Sequence, residues 1–68
     1  MKKFGEYLYK DVEVICTDGK QFRGTVNSFG GIVQGEEEYG VADAYLSVLA
    51  GDADYIIFQS EIKKIKEV

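Results

Sequence analysis

A chain of 68 residues allows one small domain, spanning 1–68, and no second. Twelve Asp or Glu against eight Lys or Arg leave a net charge of −4, which works against roles that draw affinity from neutralising phosphates. A single cysteine excludes an intramolecular disulfide, and the lack of histidine removes the usual zinc ligand sets.

So short a chain buries only about 60% of the surface its unfolded form exposes, and such domains usually need a staple. With disulfide and zinc set aside, self-association is the economical solution. No apolar run approaches the ~20 residues of a membrane span, so no membrane partner is expected. The opening "MKKFGEYLYK" is too polar and too short for a signal peptide. One free thiol fits a reducing, cytoplasmic setting.

In residues 2–9, Phe4, Tyr7 and Leu8 fall at i, i+3 and i+4, the stripe of a short helix that Gly5 weakens. Val12, Val14 and Cys16 then alternate with Glu13, Ile15 and Thr17, a strand with one core face. Asp18-Gly19 predicts a hairpin through a type I′ turn. Phe22, Gly24 and Val26 continue the alternation, and Gly24 suits a sharp bend in the second strand.

Gly30, Gly31, Gly35 and Gly40 break up the next stretch around the acidic run Glu36-Glu37-Glu38. The expectation is a strand end near Ile32–Val33, then a long polar loop through residue 43, which is either functional or mobile at that length. Ala44 to Ala50 reads as a third strand, "GDAD" as its turn, and Tyr55 to Gln59 as a fourth strand apolar on both faces. Ile62, Ile65 and Val68 are spaced by three, which suits a helical turn as readily as a strand. A tight turn at Ser60-Glu61 and a fifth strand from Ile62 complete the barrel reading.

The expected fold is mainly β: a short N-terminal helix and a five-stranded, strongly bent antiparallel barrel of SH3-like type. Its predicted core is Val12, Val14, Cys16, Phe22, Val26, Phe29, Leu46, Val48, Ile57, Ile62 and Ile65.

The run Val12-x-Val14-x-Cys16-x-Asp18-Gly19-x-x-Phe22-x-Gly24-x-Val26-x-x-Phe29 resembles the first signature segment of Sm and Sm-like (LSm) proteins. "IIFQSEIKKI" sits where the second segment belongs, and the whole is similar to the small LSm-type proteins of Firmicutes and similar bacteria. The resemblance implies the helix-plus-barrel fold and a ring of about five to seven subunits, in which the fourth strand of one subunit pairs with the fifth of the next. It also implies RNA as the ligand. At the family's RNA-contacting positions Gly30 replaces an aspartate, Gln34 an asparagine, and Phe58-Gln59 an Arg-Gly pair.

Gln34 and Gln59 have amides that can read a base edge, Phe58 can stack on a base, and Lys63 and Lys64 can take phosphates. The wider basic set, Lys2, Lys3, Lys10, Lys63, Lys64 and Lys66, lies at the two ends of the chain, where a ring would multiply it into a basic face. Tyr55, Ile56, Ile57 and Phe58, with Ile62, form the expected subunit interface, because four consecutive apolar residues on an edge strand invite pairing. Glu36-Glu37-Glu38 with Asp43, and Asp52-Ala53-Asp54, match no known cation-loop spacing and read as solvated loop charge. Cys16 reads as a core thiol, with no histidine to activate it. No catalytic arrangement is legible, and neither an enzyme nor a cofactor is expected. The expected function is therefore a non-enzymatic, homo-oligomeric Sm-like binding protein that takes RNA. The alternative is the same fold as a protein-interaction module with no nucleic-acid role.

Overall fold

A computed structural model describes residues 3–68 and contains five antiparallel strands in one sheet, ordered β4-β3-β2-β1-β5. The strands are β1 (Asp11–Cys16), β2 (Gln21–Gly30), β3 (Tyr45–Ala50), β4 (Ala53–Phe58) and β5 (Ile62–Glu67). One helix, α1 (Ile32–Tyr39), links β2 to β3, and 3₁₀ turns lie at Phe4–Tyr7 and Gln59–Glu61.

The alternation read in β1 holds: Val12, Val14 and Cys16 are buried. They meet Val26, Leu46, Val48, Ile57, Ile62 and Tyr7 in one cluster, with Phe4, Leu8, Phe22 and Ile65 packed against it. β2 is long enough to pair with β1 through Gln21–Thr25 and with β3 through Thr25–Gly30. Gly24 marks its bend, since a Cβ there would sit 2.2 Å from the Leu49 carbonyl oxygen. A register shift between Val26 and Ser28 leaves Asn27 as a bulge.

Several expectations need correction. β4 pairs with β3 alone and β5 with β1 alone, so the sheet is not closed into a barrel and has two open edges. The polar loop of residues 30–43 instead contains α1, and Ile32 and Val33 are helical. Its glycines serve helix ends and packing. The Gly31 N–H donates to the Gln34 side chain at 3.1 Å, and Gly40, left-handed at φ 72, donates to the Glu36 carbonyl at 3.0 Å. Gly35 lets the helix lie on the backbone of Asp43.

The N-terminal helix is a four-residue 3₁₀ turn. The Asp18-Gly19 hairpin has positive φ at Gly19 and not at Asp18. Gly19 N–H donates to Cys16 O and Cys16 N–H to Lys20 O, so the turn is type I closed by a glycine bulge rather than type I′. Only Gly51 and Asp52 turn between β3 and β4, where Ala50 already faces Ala53.

Phe29 is not in the core: it is 44% exposed, and its ring lies over Gly5 of the first 3₁₀ turn. Tyr45 and Ser47 are buried on the opposite face of the sheet, where Tyr45 lies beneath α1.

Candidate functional site

β2 ends in Phe29-Gly30 and leads through Gly31 into α1. Beside it, the Gln59 N–H donates to the Ala44 carbonyl at 2.8 Å, fixing the second 3₁₀ turn against the start of β3. The first 3₁₀ turn crosses the same end of the sheet, held by a bond from Lys3 N–H to the Glu6 carboxylate at 2.9 Å. Between these segments lies a cleft of about 360 Å³. Phe4 and Phe29 supply its large apolar surfaces, Gly5, Gly30, Gly31 and Ala44 its backbone walls, and Lys3 and Gln59 its polar groups.

Two features hold this end of the molecule. Tyr45 packs on Gly30 so closely that a Cβ there would sit 2.3 Å from the ring. The Ser60 N–H donates to an Asp43 carboxylate oxygen at 3.0 Å, and this bond holds the Asp43 carboxyl below its ordinary pKa.

Of the five residues expected to meet RNA, only Gln59 lines the cleft. The Gln34 side-chain oxygen is engaged by the Gly31 N–H. Phe58 pairs with Tyr45 on the sheet face beneath α1, and its ring meets that of Tyr39 edge-on at 6.1 Å. Lys63 and Lys64 are exposed on β5, away from the cleft lining. Lys3 alone of the basic residues lines the cleft, and Lys2 lies outside the described residues. Sequence reasoning missed Phe4, Phe29 and the glycine pair. The adjacency of an aromatic to Gly30-Gly31 was the available signal, but Phe29 had been counted with the core.

Of the expected interface residues, Ile57 and Ile62 are buried in the core of the single chain. Tyr55 stacks on Phe22 with ring centroids 4.9 Å apart and remains 41% exposed, and Ile56 and Phe58 are half-buried. The acidic residues are engaged separately. Glu38 accepts from the Tyr45 hydroxyl, Asp54 from the Ser47 hydroxyl, and Asp43 from Ser60. Cys16 faces a smaller cavity of about 220 Å³ that Asp18, Lys20 and Glu61 also line. Burial pushes its thiol pKa up, and the carboxylates of Asp18 and Glu61 push the same way.

Among the described residues, no helix is long and apolar enough to cross a membrane. Compared with protein-family models, curated proteins and solved structures, the chain has no match in any of the three.

Proposed function

We propose that the chain is a non-enzymatic Sm-like binding protein whose copies join edge to edge into a ring, each offering its cleft to a base of single-stranded RNA. The observation that carries this reading is the opposite charge of the two open edges. Asp52 immediately precedes β4 and Asp54 lies near its start, whereas β5 carries Lys63, Lys64 and Lys66 ahead of Glu67. Full antiparallel pairing of β5 with β5 sets Lys63 against Lys66. Pairing β4 with the β5 of another copy opposes unlike charges. An antiparallel arrangement lays the acidic start of β4 beside the lysines late in β5, and Phe58 beside Ile62. Such a head-to-tail contact closes into a ring when its rotation permits. The RNA part is supported by the cleft, where two aromatic rings, an amide and a lysine are the groups that stack on a base, read its edge and meet its phosphate.

The test is absolute mass by light scattering. The chain is 7.6 kDa, and a ring gives a several-fold multiple. Asp54→Lys should lower the mass, and adding Lys66→Glu should restore it. A mass of 7.6 kDa for the native protein removes the ring. RNA binding is read separately by anisotropy over a salt series, in which lysine–phosphate contacts weaken steeply as salt rises.

The acidic helix favours a second reading, a protein-interaction module that recruits a basic partner. Glu36 and Glu37 are exposed on α1 within a chain of net charge −4. No binding to any oligonucleotide at low salt would select it.

A further inference from the structure

The open edge of β4 borders a cavity with a charge of its own. This cavity of about 220 Å³ lies between Ile56 and Ile57 of β4 and the hairpin that joins β1 to β2. Phe22, Ile56 and Ile57 supply its apolar lining, and Asp18, Glu61 and Lys20 its charged groups. Two carboxylates against one ammonium leave an excess of negative charge. The Lys20 ammonium stands 4.0 Å from an Asp18 oxygen, at the limit of an ion pair, and both side chains are largely exposed. Glu61 accepts from the Phe58 N–H at 3.1 Å, a bond that leaves its carboxylate charged. Cys16, on the same cavity, feels the balance: after burial, Asp18 and then Glu61 raise its thiol pKa, and Lys20, the smallest influence, lowers it. An apolar surface that ends in carboxylates suits an alkyl-ammonium chain, whose stem covers the surface while its head meets the charge.

β5 of a second copy carries such a chain to this place. The antiparallel register that lays Phe58 beside Ile62 also lays Ile57 beside Lys63. Residues directly opposite in an antiparallel pair share a face. Ile57 and Cys16 belong to the buried core, and Phe22 packs against it, so the residue beside Ile57 falls on the side of the sheet where the cavity opens. Lys63 is also the residue of β5 that its own sheet does not hold. Ile15 pairs with Lys64 and Cys16 with Ile62, which leaves Lys63 as an exposed bulge. A bulge re-aims the side chain it carries.

We propose that the cavity between β4 and the β1–β2 hairpin receives Lys63 of the next copy, its stem on Phe22 and Ile57 and its ammonium at Glu61 and Asp18, and that this contact sets the register between copies. It rests on the ring reading above. The test follows the native chain, Glu61→Gln, Asp18→Asn and Lys63→Ala by light scattering over a dilution series. Glutamine and asparagine keep the acceptor oxygens that meet the Phe58 and Lys20 N–H groups, so both variants should keep the native circular dichroism spectrum. Each of the three should dissociate at about tenfold higher concentration or more. An equal mixture of unlabelled and heavy-isotope chain, treated with a carbodiimide that joins carboxylates to neighbouring amines, should give mixed-isotope peptides linking Lys63 to Glu61 or Asp18. A ring mass with native dissociation in Glu61→Gln and Lys63→Ala overturns the proposal and leaves the ring standing. So do mixed-isotope links from Glu61 to Lys64 or Lys66 in place of Lys63. A native mass of 7.6 kDa overturns the ring and the proposal together.

Discussion

Tyr45 and Glu38 join the sheet to the helix: the Tyr45 hydroxyl donates to a Glu38 carboxylate oxygen at 2.9 Å. The ring beneath that hydroxyl is 5% exposed, backed by Gly30 and met edge-on by Tyr39 at 5.1 Å. Tyr45→Phe keeps the packing and removes one charge-assisted bond, so it should cost about 1–2 kcal/mol. Chemical denaturation of the two proteins measures this. The same bond, with burial second, raises the Tyr45 pKa above its ordinary 10.0. A raised folded-state value means that the contribution is fully present below the ordinary tyrosine range and is lost as pH rises through the raised value. Absorbance titration should show Tyr45 ionising late, and Tyr45→Phe should lose less stability in alkali.

Gly35 should reverse the usual rule for helices. Replacing glycine by alanine in an open helix gains about 1 kcal/mol. Here the added Cβ would lie 2.0 Å from the Asp43 carbonyl oxygen and 2.9 Å from that of Val41. Backbone atoms cannot swing aside as a side chain can, so Gly35→Ala should destabilise by about 2–3 kcal/mol. A thermal melt of the variant reads the sign directly.

Asp43 sets an acid limit on stability. Its carboxyl is held below the ordinary value of 3.8, first by the Ser60 backbone N–H and next by the Ser60 side chain. A depressed folded-state value contributes stability that is full above the ordinary aspartate range and lost as pH falls through the lowered value. Urea denaturation of the native chain and Asp43→Asn near neutral pH and in mild acid should show the difference between them shrinking as pH falls.

Cys16 should be unreactive while the fold is intact. It is 6% exposed and its thiol pKa is raised by burial, then by Asp18 and Glu61. Both effects suppress the thiolate that reacts. A thiol-specific chromogenic reagent should label the native chain slowly at mildly alkaline pH, and at once in denaturant.

The strands were legible because alternation is a local property. Val12, Val14 and Cys16 declare one face of β1 whatever lies opposite. The helix was hidden because four glycines and three glutamates read as loop residues, while their use at a cap, a left-handed terminus and a close backbone approach depends on Asp43 and Tyr45 several residues on. Phe29 was counted with the core, although strict alternation from Val26 would turn it outward. The bulge at Asn27, which sets Phe29 opposite the buried Leu46, and the 3₁₀ turn that meets its ring at Gly5 are long-range arrangements. For that reason the cleft was missed except for Gln59. Phe58 was taken for a base-stacking residue, since nothing local revealed that Tyr39 would pack against it.

The length of β2 has a consequence for how the molecule opens. Every backbone ladder joining β3 and β4 to β1 and β5 passes through this one strand. No cut through the sheet leaves two self-sufficient halves, because freeing β2 from either neighbour also uncovers Val26 and the core around it. In amide hydrogen exchange the middle of β2 should be the last region to exchange, at the rate of global unfolding, while the outer strands exchange earlier by local fraying. A protease acting on the interior of this domain therefore has to wait for the whole chain to unfold.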